Sequence, residues 1–218
     1  MNIMVFSPHP DDETLGAGGY LLKKKDEGNI IGWFNFTNVD IKYGFDEDRV
    51  DKRNTEIKNV KEKYGFDYFF NFNLQPSKLD TYGYHFLIVE VSKQIKFFKP
   101  DVVLIPFRYD SHSDHRVVCD TVLSCTKTFR YPFIKMVLVM EIISETNYST
   151  YSFNPNYYVD ISNYIEKKLE IMNIYKSEIE NSPFPRSDEK IRSLASYRGS
   201  SINTFYAEAF AVAKIIDI

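Results

Sequence analysis

Cysteine is scarce in this chain: Cys119 and Cys125 are the only two in 218 residues. Two thiols cannot frame a disulfide scaffold, and they lack the paired spacing of a structural metal site, so they read as free thiols in a reducing cytoplasm. Long apolar runs are missing too. No segment approaches the roughly 18–20 uninterrupted apolar residues of a membrane span. The short apolar start, Met1 to Phe6, meets Pro8-His9-Pro10-Asp11-Asp12 too early to be a secretory signal. Positive charge is not in excess: 27 Lys and Arg stand against 30 Asp and Glu, for a net charge of −3. That balance argues against gripping nucleic-acid phosphates as the main task. Repeats, low-complexity tracts and Pro-, Gly- or Ser-rich linkers are absent as well. What remains reads as one domain over residues 1–218, long enough to bury a core without staples.

The pattern that is present alternates short apolar runs with longer helical ones. Strands are expected at 3–7, 30–37, 68–72, 101–106, 136–140 and 157–161. Helices are expected at 14–27, 46–64, 84–98, 114–129, 162–179 and 188–197, with Ser162 as an N-cap and Gly28 and Gly65 as stops. This alternation predicts an α/β fold: a single Rossmann-like domain whose mostly parallel sheet is flanked by helices. Such sheets bind ligands beyond the carboxyl ends of their strands, so the loops there are the places to search.

Two clusters fall in such loops. Pro8-His9-Pro10-Asp11-Asp12-Glu13 follows the first strand, and Asp110-Ser111-His112-Ser113-Asp114-His115 follows the fourth. Three of the four histidines lie in these two segments. Each has a plain structural reading: acidic residues cap a helix N-terminus, and a His-x-Asp-His stretch can be a solvated turn. Together, at strand ends that share one rim, they suit a catalytic zinc site. Such a site takes two imidazoles and a carboxylate and keeps one position open, and His9, Asp12 and His115 supply that set. Asp11 is left over as a general base for the water. His112 is left to stabilise an oxyanion and protonate the leaving amine, and Asp114 to hold the His112 ring in its tautomer.

These residues resemble the LmbE-like, or PIG-L-type, zinc-dependent N-acetylglucosamine deacetylases. His-Pro-Asp-Asp-Glu at 9–13 and His-x-Asp-His at 112–115 are similar to that family's two motifs. The resemblance implies the same roles for His9, Asp12 and His115 on a Zn²⁺ or another divalent ion, Asp11 as base and His112 as stabiliser and acid. It adds Arg53, in Arg53-Asn54-Thr55-Glu56, as a substrate contact. Weaker likeness runs through 154–161, Lys168, Arg198-Gly199 and Tyr206-Ala207-Glu208-Ala209-Phe210. One departure is Asn203, where the family usually has glycine; asparagine tolerates a positive φ better than most residues. The implied activity is metal-dependent removal of an N-acetyl group from an N-acetylglucosamine-type sugar or glycoside.

The partners expected are a small-molecule amino sugar, no nucleic acid and no membrane span, and a homo-oligomer is compatible with the sequence. Two rival readings stand beside this one: an amidase on another acylated amine, and a non-hydrolytic nucleotide-binding module. The second leans on Gly16, Gly18 and Gly19, which lack the Gly-x-Gly-x-x-Gly order and fall inside a helical pattern. His85 is assigned no function. Glu208 either touches the site or packs near its rim, and most of the 34 Tyr and Phe must be core.

Overall fold

A computed structural model describes residues 1–217 of the chain. The β-branched and aromatic runs form strands, and their burial follows from helices covering both faces. β4 (Val102–Ile105) is Val-Val-Leu-Ile with every residue buried, and β1 (Asn2–Ser7) is buried beyond its first residue. Such strands read as continuous apolar runs because neither face meets water. They join β2 (Ile30–Thr37), β3 (Tyr68–Leu74), β5 (Met136–Met140), β6 (Tyr157–Asp160) and β7 (Ala207–Ile215) in one seven-stranded sheet, ordered β3-β2-β1-β4-β5-β7-β6. The first five strands in that order pair in parallel, and β7 runs antiparallel between β5 and β6.

Helices α1 (Asp12–Asp26), α2 (Glu47–Tyr64), α3 (Tyr84–Phe98), α4 (Ser113–Ser124), α5 (Ile165–Met172) and α6 (Asp188–Ser200) connect the strands. Two apolar cores result. One holds Trp33, Tyr20 and Tyr175, and the other holds Phe6, Phe34 and Ile95. α2 shows how local sequence sets an element's ends: the Asp46 carboxylate accepts from Arg49 N, and Gly65 closes the helix at φ 64.

The expected α/β architecture is observed, with four local corrections. The helix expected over 114–129 ends at Ser124, and the one expected over 162–179 is only Ile165–Met172. Ser162 is not its N-cap: the Ser162 hydroxyl donates to Asp160 Oδ1 at 2.6 Å, and Tyr164 takes the cap position without a side-chain bond. The strand β7 was not anticipated, because its alanine-rich sequence has weak strand preference and only its pairing to β5 and β6 makes it one.

The glycines of α1 serve packing. A Cβ on Gly19 would lie 2.7 Å from Ile161 Cγ2, so only glycine lets the helix approach that segment. The helix also kinks at Ala17 (φ −148°, ψ 17°), which frees the N–H groups of Gly19 and Tyr20. Glu208 accepts both, at 2.8 and 2.7 Å, and the Lys168 ammonium lies 2.7 Å from the same carboxylate and donates to Leu15 O. The N–H groups that open the second half of α1 are thus taken by a protein carboxylate. Glu208 is a cap for the second half of α1.

Candidate active site

The sheet order reverses at β1: chain order runs outward through β2 and β3 on one side and through β4 and β5 on the other. Ligand crevices open at such a reversal. β1 and β4 are direct neighbours, Val5 opposite Leu104, so the loops that leave them meet over a gap of about a hundred residues in sequence.

The first loop turns sharply. Asp11 occupies the N-cap position of α1 at φ 128°, ψ −30°, a strained backbone for a residue with a Cβ, and its side chain makes no capping bond. Such a conformation costs on the order of 1–3 kcal/mol and needs local support. Glu13 supplies it: its carboxylate accepts from Asp11 N at 3.0 Å, Thr14 Oγ1 at 2.7 Å and the Tyr175 hydroxyl at 2.9 Å. Burial pushes Glu13 up to about 7 despite these bonds. Capping therefore does not account for the acidic run; the Asp11 carboxylate points elsewhere.

His9, Asp12 and His115 converge. Asp12 Oδ2 lies 3.3 Å from His9 Nδ1 and 3.3 Å from His115 Nε2, and the three donor atoms sit within 4.8 Å of one another. These spacings match the edge of about 3.4 Å expected for a tetrahedron with bonds near 2.1 Å. His115 is fully buried, and its Nε2 has no hydrogen-bond partner among the described residues. A buried imidazole nitrogen left unpaired is costly unless something else binds it. Charge points the same way. Burial alone would lower the histidines, but Asp12 and Asp110 raise His115 to about 10, and Asp114 and Asp12 raise His9 to about 9. Burial alone would raise Asp12, yet His115 and His9 hold it well below the usual carboxylate range. The cluster demands positive charge, and a divalent ion satisfies both the demand and the orphaned nitrogen.

Neighbours fix both imidazoles. His115 Nδ1 lies 2.7 Å from Asp110 Oδ2, whose other oxygen accepts from Thr146 Oγ1 at 2.7 Å. His9 Nε2 lies 3.1 Å from Asp114 Oδ2. This corrects the expected partner of Asp114. Its carboxylate orients His9, not His112, and is itself anchored by Ser77 N at 2.7 Å and Leu79 N at 3.1 Å. His112 is set instead by backbone: its Nδ1 accepts from Asp114 N at 3.1 Å, capping α4. That acceptor role places the proton of the neutral ring on Nε2. Burial, then the charge of His9, lowers the His112 pKa, so the ring is a neutral Nε2–H donor.

Asp11 lines a pocket of about 420 Å³ with His9, Asn38, Arg53, His112 and Arg186. A larger groove of about 1480 Å³ between α2 and α5 shares Arg53 but none of the cluster, so we place the chemistry in the smaller one. Burial raises Asp11 to about 8 although Arg186 pulls it down. Arg186 is the residue that sequence reasoning missed, since it stands in an unremarkable segment before α6; Asp110 was in view but had no role. Arg53 is buried on the pocket wall. It donates to Pro10 O at 3.2 Å and to Ser177 Oγ at 2.8 Å, pairs with Glu178, and lies 3.0 Å from Glu56 Oε2. Its guanidinium is thus largely engaged by the protein. His85 starts α3, away from the cluster.

A mostly parallel sheet with a three-donor His-Asp-His cluster and one spare carboxylate at its switch point is an arrangement that a metal-dependent hydrolase would use. The sequence profile of the family described as PIG-L, GlcNAc-PI de-N-acetylase, matches residues 4–126, and the chain belongs to that family. It is 26% identical to the diacetylchitobiose deacetylase of Thermococcus kodakarensis, over 94% of this chain and 80% of that one. Its fold is similar to that of the N,N'-diacetylchitobiose deacetylase from Pyrococcus horikoshii in complex with its inhibitor MPG. The TM-score is 0.78 and the identity 21%, covering 98% of this chain and 84% of that one. The fold is also shared by the 4-carboxy-2-hydroxymuconate hydratase from Pseudomonas putida (TM-score 0.77, 14% identity, 100% of this chain and 98% of that one). Fold alone therefore does not choose the reaction, and the site must.

Proposed function

We propose that this protein is a zinc-dependent hydrolase that removes the N-acetyl group from an N-acetylglucosamine-type sugar or glycoside, releasing acetate and a free amine. The observation that carries this is the pairing of an unpartnered, buried His115 Nε2 facing Asp12 with a spare carboxylate, Asp11, on the same pocket. Family membership and the diacetylchitobiose deacetylase relative support the substrate class.

His9, Asp12 and His115 would hold the ion. When bound there, zinc supplies Lewis acidity, polarising an acyl oxygen and bringing the pKa of water down to about 7. The protein's own groups do the rest. Asp11 takes the proton of the attacking water as the new C–O bond forms. His112, with its proton on Nε2, donates to the acetyl oxygen as negative charge gathers there; such a donor is worth on the order of 3–4 kcal/mol. The C–N bond then breaks as Asp11 passes the proton it took from water to the leaving nitrogen. Arg53 lines the pocket wall as the candidate contact for the sugar. Asp114 and Asp110 keep the two liganding rings aligned.

A small molecule fits the pocket, and among the described residues no helix is long and apolar enough to cross a membrane. Two buried free thiols suit a cytoplasmic setting. The test is acetate release across a panel of N-acetylglucosamine derivatives, with chelated and zinc-reloaded protein side by side. We expect release only from the reloaded protein and only from N-acetylated sugars. Turnover of other acylated amines in preference to every sugar, or full activity without metal, would overturn the reading.

A further inference from the structure

One half-buried guanidinium has no part in the steps above. Arg186 stands between α5 and α6, remote in sequence from both motifs, yet its Nη1 donates to Asp11 Oδ2 at 2.7 Å. The same nitrogen lies 3.0 Å from Glu178 Oε2, and Nε donates to Ser144 Oγ at 2.8 Å. Nη2 sits 3.7 Å from Glu145 Oε1. Partners in separate segments therefore fix the plane of this side chain, which is only 18% exposed. Glu178 also pairs with Arg53, and Arg53 donates to Pro10 O. One connected ionic chain grips both the Asp11 carboxylate and the backbone just before it.

A carboxylate base works best when one oxygen is held and the other is aimed at the proton it takes. Asp11 sits on a strained backbone and makes no capping bond, so its side chain has no orienting contact from its own helix. Arg186 takes Oδ2, and Oδ1 has no hydrogen-bond partner among the described residues while Asp11 lines the pocket. We propose that Arg186 is a positioning residue: it holds Asp11 so that Oδ1 faces the attacking water, and the α5–α6 segment thereby completes the site. The inference rests on Asp11 acting as the general base. A substrate-binding arginine would act on KM, and an arginine that only anchors its segment through Glu178 would act on stability. A positioning arginine acts on kcat through Asp11.

The experiment is a double-mutant cycle on the zinc-loaded protein with Arg186→Met, Arg186→Lys, Asp11→Asn and the combined Asp11→Asn/Arg186→Met protein, reading kcat, KM, zinc content and Tm. Arg186→Met should lower kcat about 10- to 100-fold, the scale of a misplaced reacting group. KM and zinc stoichiometry should stay near their original values. Added guanidinium salt should restore part of the loss, and Arg186→Lys should retain more activity than Arg186→Met while keeping one charged donor. In the Asp11→Asn background, Arg186→Met should cause no further loss. If Arg186→Met does not fold, the same cycle run with Arg186→Lys decides. Equal losses in both backgrounds, or a rise in KM at unchanged kcat, would overturn the inference and leave Asp11 as base. Full turnover by Asp11→Asn itself would instead overturn the base assignment on which the inference stands.

Discussion

α1 carries a buried charged cluster at each of two points, and the two are built differently. At its kink, Glu208 and Lys168 are matched: the carboxylate has two backbone N–H donors and an ammonium, and the ammonium has a carbonyl besides. At its start, His115 Nε2 has no hydrogen-bond partner among the described residues, Asp11 sits at φ 128°, and imidazoles and carboxylates crowd without enough positive charge. Both lie in low-dielectric surroundings, where an incomplete polar cluster is expensive. A cluster that closes on itself stabilises the fold; one left open waits for something from outside. Substitutions in each should therefore fail in different ways.

The largest expected effect is at the open cluster. His115→Ala removes the buried nitrogen that has no other partner, so bound zinc should fall from one per chain to a small fraction, and activity should vanish with it. Elemental analysis on the purified variant, with circular dichroism to check folding, is the measurement. A variant that keeps stoichiometric zinc would show that the open nitrogen is not a ligand. Lys168→Met, at the closed cluster, strands Glu208 without its counter-charge. Losing one member of a buried pair typically costs about 3–5 kcal/mol. Denaturant unfolding should show that loss, while zinc per folded chain stays unchanged. A stable Lys168→Met protein with reduced metal would reverse the contrast.

That contrast also explains what was legible in the sequence. The site's floor was readable because both motifs lie directly after strands, and a parallel sheet brings neighbouring strand ends to one rim whatever the intervening length. The five parallel strands were readable because apolar runs such as Val102–Ile105 admit little else. The antiparallel β7 was not, since an alanine-rich stretch acquires its state from β5 and β6. Arg186 was not, because an ion pair to a residue 175 positions away leaves no local pattern. The role of Glu208 depended on a helix kink, which periodicity does not reveal. Asp114 was seen as an orienting carboxylate but given to the wrong ring. Within His112-Ser113-Asp114-His115 sequence proximity suggested His112, whereas the helix turn aims the side chain across at His9.

A smaller effect sharpens that last point. Asp114→Asn keeps shape and a hydrogen-bonding oxygen but removes the charge behind His9. Losing such a supporting carboxylate typically weakens metal binding about 10- to 100-fold. Competition with a chromogenic chelator should show this shift, and Asp110→Asn, behind His115, should give a similar one. If Asp114 instead served His112, zinc affinity would hold and only turnover would fall.

The smallest effect concerns the turn that leads into β7. Asn203 sits at φ 59°, in the left-handed region that glycine adopts freely. The turn is tight: a Cβ on Gly199 would lie 2.6 Å from Thr204 O, and Thr204 N donates to Gly199 O at 3.1 Å. Asparagine tolerates the left-handed region because its short polar side chain can bond locally, while a β-branched residue meets a penalty of roughly 1–2 kcal/mol there. Asn203→Gly should therefore leave unfolding free energy within about 1 kcal/mol of the original, with Asn203→Val losing roughly 1–2 kcal/mol. Neither should change zinc content, because none of His9, Asp12 and His115 lies in the turn. Equal stability of the glycine and valine variants would mean that position 203 is free to leave the left-handed conformation and that the turn does not need it.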